Sequence, residues 1–301
     1  MAPQPVVVSG EVRDALAAGR AVVALETSVL SQGLPHPRNL DAAEAMAGRI
    51  RARGALPAWT AVEGGRIRVG LGGEEVQRFA DPGSAVAKVA RRDYPAAIAS
   101  GGLGATTVSA TLWAAHRAGI EIMATGGIGG VHTGSGDVSA DLLEMARVPG
   151  FVVCSGPKSI VDPAATLERL EELGILVAAY GVDRLPFFLV RETDLELEHR
   201  VDSPAEAAAV ARARRDLGVE SAVLLCNPIP ADGAMDPAVV AEAVGACEAE
   251  AERRGIRGKD VTPFLLSCLS ERTGGASLEA NLTLLGANAD LAARIAVELA
   301  G

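Results

Sequence analysis

The chain has 301 residues, of which 49% are hydrophobic, 22% charged and 3% aromatic, and its formal net charge is -10. The negative charge argues against a nucleic-acid partner, and the shortage of aromatic side chains argues against platforms on which bases stack. The length allows one large α/β domain or two smaller ones, with enough apolar residues for a substantial core.

Apolar runs alternate with amphipathic stretches along most of the chain. Continuous apolar runs predict buried strands at 21–29, 95–102, 120–130, 151–156, 175–181 and 221–230. Two β-rich runs around Gly64 and Gly65 predict a hairpin over 58–71. Helical spacing with capping signals predicts helices at 106–119, 137–147, 162–174 and 203–218, and mostly helix from Asp236 onward. The pattern predicts a single domain over 1–301, a three-layer α-β-α sandwich around a largely parallel sheet with a small hairpin region.

The cysteines stand far apart and form no C-x-x-C pair; they are Cys154, Cys226, Cys247 and Cys268. This spacing predicts reduced, mostly buried thiols in a cytosolic protein, with neither a disulfide framework nor a zinc site. The N-terminal stretch does not resemble a signal peptide, and no run reaches the ~18 apolar residues that a membrane span needs. We therefore expect a cytoplasmic protein.

Ligands of open α/β sheets bind beyond the carboxyl ends of the strands, so the polar residues there are candidates for a site. They are Glu26, Gly101, Gly102, the glycines within 126–130, His132, Lys158 and Asn227. Glu26 follows the apolar run AVVAL, where a partly desolvated carboxyl suits a general acid. The alternative is a carboxylate that caps backbone amides or pairs with an arginine.

The stretch TGGIGGVH is the richest in glycine. Its four glycines either let the backbone approach a ligand closely or form an anion-binding nest. His132, at the end of this stretch, suits phosphate binding, metal binding, proton transfer or a purely structural role.

Asp137 and Asp141 flank Ser139 at the start of a predicted helix. Side chains four residues apart share one helix face, and these oxygens suit Mg²⁺ or Mn²⁺. The alternative is that the two acids, with Asp137 as N-cap, only stabilise the start of the helix.

Lysine is rare in this chain: of the 28 basic residues, only Lys88, Lys158 and Lys259 are lysines. Lys158 follows the run FVVCSGP, and an amine beside apolar surface loses its proton more readily and then attacks carbonyl carbons. The alternative is a lysine that extends from a strand end into solvent. Lys88 lies near Arg91 and Arg92, which suits either a solvated face or half of a phosphate site.

Seven blocks of the sequence occur in an order that is highly specific. They are ALETSVLSQGLPHPRN, GGLGATTVSAT, ATGGIGGVH, DVSADL, CSGPKSIVD, CNPIP and DVTPFLLSCLSERTGGASLEAN. Together they resemble the pseudouridine-5'-phosphate glycosidases from about Val8 to the C-terminus. That family breaks the C–C bond between uracil and ribose 5-phosphate with the help of a divalent cation, typically Mn²⁺.

The resemblance implies roles for the candidate residues. It implies that Glu26 is the proton donor, Lys158 the nucleophile and Asp137 the metal ligand. It also implies substrate contacts for Lys88, Val108, Ser139, Ala140 and Asp141, a phosphate contact for His132 and a uracil contact for Asn281.

The leaving atom explains why such a family needs a lysine. An N-glycosidase uses two carboxylates and its base leaves through a heteroatom, whereas uracil leaves here through carbon C5. In the implied route, Glu26 helps to open the ribose while Lys158 forms a Schiff base at C1′. The Schiff base acts as an electron sink, so the bond to C5 breaks once that carbon is protonated. Arginine could not replace Lys158, since a guanidinium stays protonated in proteins.

Two residues depart from the family pattern: Gln32 stands where histidine is expected, and Pro157 stands where a small residue is commoner. The resemblance further implies a homotrimer without a fused kinase domain, supplied with substrate by a separate pseudouridine kinase. Two alternatives stay open. One is a class I aldolase-like enzyme acting on a sugar phosphate, which would need Lys158 but not Asp137. The other is a non-catalytic protein that binds a nucleotide or sugar phosphate.

Overall fold

A mixed β-sheet forms the centre of the protein. The computed structural model describes residues 5–133 and 136–301; residues 1–4 and, shortly after the glycine-rich stretch, Gly134 and Ser135 lie outside the described residues. Eleven strands of the described chain pair into one sheet. In chain order they are β1 Val6–Val8, β2 Val22–Glu26, β3 Leu56–Glu63, β4 Arg66–Val69, β5 Val86–Val89, β6 Leu103–Thr106, β7 Ile122–Ala124, β8 Phe151–Cys154, β9 Leu176–Tyr180, β10 His199–Val201 and β11 Val223–Cys226.

Most neighbouring strands run parallel. Along the sheet the order is β1-β4-β3-β2-β7-β8-β11-β9-β10, and β6 joins β3 to β5. Within the described residues only β3–β4 and β3–β6 pair antiparallel. Strands β3 and β4 form the hairpin around Gly64 and Gly65, which both adopt positive φ angles, 58° and 71°. The predictions of a largely parallel sheet and of a hairpin are confirmed.

Helices cover both faces of the sheet. They are α1 Gly10–Ala17, α2 Arg38–Ala52, α3 Gly73–Ala80, α4 Tyr94–Ser100, α5 Val108–Ala118, α6 Ala140–Met145, α7 Pro163–Glu172, α8 Pro204–Asp216, α9 Pro237–Arg253, α10 Val261–Arg272 and α11 Ala276–Ala300. In β2, Val23 and Leu25 join the core that includes α2 and α11, while Val22 and Ala24 join the core that includes α1 and α5. Successive side chains of a strand point to opposite faces, so these two cores confirm the three-layer sandwich. No helix in the described ranges is long and apolar enough to cross a membrane.

One predicted strand is wrong. The sequence predicts a strand over 95–102, but Tyr94–Ser100 forms helix α4. Pro95 occupies the first helical turn and Gly101 ends the helix in the left-handed conformation, with φ 68°, so these capping residues outweigh the apolar run. The sequence does not predict β5 or β6, because each has only four residues and no continuous apolar run.

Helix α6 begins later than the sequence predicts. Ser139, and not Asp137, caps the helix, and its Oγ accepts a hydrogen bond from the Asp141 N–H at 3.2 Å. The residues before it stay extended because they pair with the glycine-rich stretch. The His132 N–H donates to the Asp137 carbonyl at 2.8 Å, and the Ser139 N–H donates to the Gly130 carbonyl at 2.9 Å. Asp137 therefore lies outside the helix and shares no helix face with Asp141.

Two of the four cysteines form a disulfide, which contradicts the prediction of reduced thiols. Cys247 on α9 and Cys268 on α10 are bridged, with their Cα atoms 5.8 Å apart. They are separated by 21 residues and fit no spacing motif; the packing of α10 on α9 brings them together. Cys154 and Cys226 are free and buried, as predicted.

Candidate active site

A cavity of about 260 Å³ lies beyond the carboxyl ends of β2, β7 and β8. These strands are parallel neighbours, so the residues that follow them meet at one edge of the sheet. Every residue to which the resemblance assigns a role lines this cavity: Glu26, Lys88, Val108, His132, Asp137, Ser139, Ala140, Asp141, Lys158 and Asn281. Their individual roles stay predictions, but the structure brings all of them together.

Two hydroxyl groups hold the carboxyl group of Glu26. This residue ends β2 and is only 5% exposed. Thr125, which follows β7, donates a hydrogen bond to Oε1, and Ser28 donates to Oε2 at 2.5 Å. Within the described residues Glu26 pairs with no arginine and accepts no backbone N–H. The two alternative roles considered for it, capping backbone amides and pairing with an arginine, are therefore not found. Because a hydroxyl both donates and accepts, this pair can hold the carboxyl group in either protonation state.

A short backbone bridge fixes the position of Lys158. Ile128 and Pro157 form a parallel bridge. The Ile128 N–H donates to the Gly156 carbonyl at 3.1 Å, and the Lys158 N–H donates to the Ile128 carbonyl at 2.9 Å. Neither bond uses an amide hydrogen at position 157, so proline breaks no hydrogen bond there, while its fixed φ stiffens the chain just before Lys158. The departure at Pro157 therefore agrees with the local geometry.

Asp141 fastens the glycine-rich stretch to helix α5. Its Oδ2 accepts the Gly129 N–H and its Oδ1 accepts the Ser109 N–H, both at 3.0 Å. A Cβ added to Gly129 would lie 2.6 Å from the Cβ of Ser139, so only glycine allows this close approach. None of the glycines between 126 and 130 has a positive φ, so the stretch does not form the anion-binding nest that the sequence left open.

An ion pair between the partly exposed Arg91 and the buried Glu144 supports the same wall of the cavity. Arg91 Nη1 lies 3.0 Å from Oε1 of Glu144, and the Arg91 N–H donates to the Ser109 hydroxyl at 3.4 Å. Burial raises the pKa of Glu144 above its ordinary value, although Arg91 acts in the opposite direction. The pair links α6, which follows Ser139, to the chain just after β5, which carries Lys88.

His132 lies within electrostatic reach of three charged side chains of the site. Burial lowers the pKa of its imidazole, and the positive charges of Lys158 and Lys88 act in the same direction. The charge of Asp137 and a hydrogen bond to the Ile160 carbonyl oppose this shift. The neutral imidazole is therefore favoured near neutral pH.

The oxygen ligands at the cavity fit only a cation that keeps most of its water. In the part of the chain that the structure describes, no three His, Cys, Asp or Glu side chains come together as a metal cage. Both oxygens of Asp141 already accept backbone N–H groups. Asp137 also lines the cavity wall. Magnesium-like ions often bind through one carboxylate and several waters, so Asp137 suits such an ion.

The sequence did not single out every residue of the cavity wall. Lining residues that it did not single out include Ser28, Thr107, Thr125, Phe188 and Thr262, whereas Arg92, which it named together with Lys88, does line the cavity. Conversely, Gly101, Gly102 and Asn227 do not line the cavity. Both glycines are exposed after α4, and Asn227 is buried and donates to Oδ1 of Asn288 at 3.0 Å.

The whole chain matches known proteins of one family. The family model described as "Indigoidine synthase A like protein" matches residues 11–298. A pseudouridine-5'-phosphate glycosidase of Paracoccus denitrificans is 48% identical over 99% of each chain. Another, from Caldanaerobacter subterraneus, is 44% identical over 97% of this chain and 95% of its own.

Solved structures show the same fold. The prealnumycin C-glycosynthase AlnA, in complex with ribulose 5-phosphate, has a TM-score of 0.90 and 37% identity, covering 99% of this chain and 98% of its own. An indigoidine synthase A-like protein from Thermotoga maritima has a TM-score of 0.90 and 34% identity, covering 98% of this chain and 97% of its own. These matches confirm the resemblance inferred from the seven sequence blocks: the chain belongs to the pseudouridine-5'-phosphate glycosidase family of enzymes, within the indigoidine synthase A-like proteins.

Proposed function

We propose that the protein catalyses the reversible cleavage of the C–C glycosidic bond of pseudouridine 5'-phosphate, giving uracil and ribose 5-phosphate, in pseudouridine degradation. One observation carries the proposal: Glu26 and Lys158, from distant segments, line one cavity with every other residue that the family resemblance implicates. Relatives with 44% to 48% identity bear this activity in their names. The similar C-glycosynthase binds a sugar phosphate.

The first step opens the ribose ring. The carboxyl group of Glu26 gives its proton to ring oxygen O4′, the C1′–O4′ bond breaks, and the neutral amine of Lys158 bonds to C1′. The nitrogen then returns one proton to the Glu26 carboxylate. The result is a neutral secondary amine that joins Lys158 to C1′, with uracil still attached.

The second step breaks the C–C bond. Uracil C5 takes up the proton that Glu26 has regained, the lone pair of the Lys158 nitrogen forms a C1′=N bond, and the electron pair of the C1′–C5 bond returns to the uracil ring. This order corrects the implied route: in the direction of cleavage the Schiff base is the product of the break and not the electron sink that precedes it. In the synthetic direction it is the electron sink that uracil attacks. Water then adds to the Schiff base and releases ribose 5-phosphate, so one water is consumed overall.

The remaining residues bind and orient the substrate. Lys88 and Arg92 offer positive charge at the cavity for the 5′-phosphate, with His132 beside them. We infer that Asp137 holds one divalent cation, Mn²⁺ in the family pattern and Mg²⁺ as an alternative. When bound, this ion would offset negative charge on substrate oxygens. Asp141 and Ser139 hold the wall on which the substrate rests.

The decisive experiment is uracil release from pseudouridine 5'-phosphate in the presence of Mn²⁺. Lys158→Arg keeps the charge and should abolish release, whereas Arg294→Lys, the opposite exchange at an exposed position on α11, should match the wild type. Lys88→Arg should retain turnover with a raised KM, because its role is electrostatic. A Lys158→Arg protein that still releases uracil would refute the nucleophile assignment.

Borohydride reduction with ribose 5-phosphate should attach the sugar to the peptide that contains Lys158. An aldolase-like enzyme would give the same adduct but no uracil. A non-catalytic binding protein would give neither, and Lys158→Arg would leave its background rate unchanged.

The proposal includes a homotrimer in the cytoplasm that receives its substrate from a separate pseudouridine kinase. Its support is the family resemblance alone. Light scattering coupled to gel filtration measures the assembly directly.

A further inference from the structure

A buried amide at the cavity wall leaves one oxygen without a hydrogen-bond partner. Oε1 of Gln32 is buried, and no group within residues 5–133 or 136–301 donates to it. Its Nε2 donates to the Val86 carbonyl at 3.3 Å. Because a carbonyl oxygen only accepts, the NH₂ group has to face Val86, and this fixes Oε1 on the opposite side. Buried acceptors without a partner are rare, so Oε1 calls for a donor that the chain does not supply.

The position of Gln32 connects this oxygen with the site. Gln32 lies in a short π-helical turn, Val29–Gly33, soon after Glu26, and such turns often occur at functional sites. It lines both the catalytic cavity and an adjoining cavity of about 410 Å³. Asn281 also lines both cavities. Two carboxamides therefore stand at the wall that the cavities share.

Charge distinguishes the two ends of the site. Lys88, Arg92 and Lys158 line the catalytic cavity, whereas the described residues that line the adjoining cavity include no lysine or arginine and a single acid, Glu271. The cationic side chains suit the phosphate of a sugar phosphate, and the carboxamides, which donate and accept hydrogen bonds, suit an uncharged base. We propose that Oε1 of Gln32 accepts a hydrogen bond from a ring N–H of the base and thereby selects the base. This inference rests on the proposed function, which supplies uracil, a ring with two N–H donors.

The same geometry explains the departure from the family pattern at position 32. A neutral imidazole has one N–H donor and one acceptor nitrogen. A histidine there would donate to the Val86 carbonyl and present its other nitrogen as acceptor, as Gln32 does with Nε2 and Oε1. Glutamine and histidine are therefore interchangeable in this role, and an apolar side chain is not.

The test compares kcat/KM for release of the free base from pseudouridine 5'-phosphate, which gives uracil, and from its N1-methyl and N3-methyl derivatives, which give 1-methyluracil and 3-methyluracil. Gln32→Met keeps the length of the side chain without its acceptor, and we expect it to lower kcat/KM for the parent substrate by about tenfold to a hundredfold. Methylation of the contacted nitrogen should impair the wild type by at least about tenfold but leave Gln32→Met unaffected. Gln32→His should restore both activity and selectivity. Gln77→Met, exposed on α3, is the matched control and should behave as the wild type.

Two results would overturn the inference: Gln32→Met equal to the wild type, or a loss that is the same for all three substrates and not restored by histidine. Calorimetric titration with uracil in the presence of ribose 5-phosphate separates this inference from the proposed function. Uracil binding that depends on Gln32 without any turnover supports the inference and refutes the function. Turnover that Gln32→Met does not change supports the proposed function and refutes the inference about Gln32. If the protein shows no turnover and does not bind uracil, both the function and the inference are overturned.

Discussion

Replacement of Asn288 by alanine should destabilise the protein and disturb both proposed catalytic groups. Asn288 lies on α11 and is 0% exposed. Its Nδ2 donates to the Thr125 carbonyl at 2.9 Å and to the Ser155 hydroxyl at 3.0 Å. Its Oδ1 accepts from Nδ2 of Asn227 at 3.0 Å. One side chain therefore joins the chain segments that follow β7, β8 and β11.

The contacts of Asn288 set the size of the effect. Alanine removes this partner from four groups, of which the Gly126 carbonyl keeps the Ser155 N–H as a donor. For the other three, at about 1–1.5 kcal/mol each, we expect a loss of about 3–4.5 kcal/mol in the free energy of unfolding. Asn288→Asp keeps the shape but places a carboxylate oxygen opposite the Thr125 carbonyl. Its loss should be at least as large, because a buried charge gains no partner there.

Urea unfolding followed by circular dichroism measures the stability, and uracil release measures the activity. Thr125 holds Glu26 and the segment that begins at Ser155 leads to Lys158, so kcat should fall more than KM rises. Arg294→Ala, exposed on the same helix, is the control and should stay within about 0.5 kcal/mol of the wild type. An Asn288→Ala protein as stable as this control would refute the reasoning.

Other contacts predict measurable effects of their own. Burial raises the pKa of Glu144 above its ordinary value of 4.5, so as the pH rises the unfolded chain loses this proton before the folded protein does. The free energy of unfolding of the wild type, relative to that of Glu144→Gln, should therefore fall as the pH rises above 4.5. A difference that stays constant with pH would contradict this. Gly129→Ala should lower the free energy of unfolding by about 1–3 kcal/mol, since the new methyl group meets Ser139; urea unfolding checks this. Replacing Cys247 and Cys268 by serine should lower it by about 3 kcal/mol, whereas reducing agent should leave that double variant unchanged.

The strand-end rule, that ligands of an open α/β sheet bind beyond the carboxyl ends of its strands, predicted the centre of the site. It succeeded there because the strands concerned are unambiguous in the sequence. Strands β2, β7 and β8 are continuous apolar runs, and each is fully buried. They pair in parallel, so Glu26, Thr125 and the segment leading to Lys158 meet at one sheet edge. The apolar runs locate these strand ends in the sequence, and the order of the strands in the sheet brings the three groups together.

Other parts of the site and of the fold depend on contacts between distant segments, which local sequence patterns do not predict. The acids at 137 and 141 looked like one helix start, but pairing of Asp137 and Ser139 with the glycine-rich stretch keeps the first acid extended. The disulfide between Cys247 and Cys268 depends on the packing of α9 on α10. In each case a tertiary contact determines the structure, although the local sequence pattern predicts a different one.

Asn227 shows where the strand-end rule fails, and why. It follows β11 as Lys158 follows β8, but its amide is taken by Asn288, 61 residues further along the chain. A rule that examines one strand at a time cannot distinguish an open strand end from one that a later helix occupies. The difference is measurable: in a double-mutant cycle, Asn227→Ala and Asn288→Ala should couple by about 1 kcal/mol, since the two changes remove one shared bond. Strictly additive losses would mean that Asn227 has another role, and it would again be a candidate for the site.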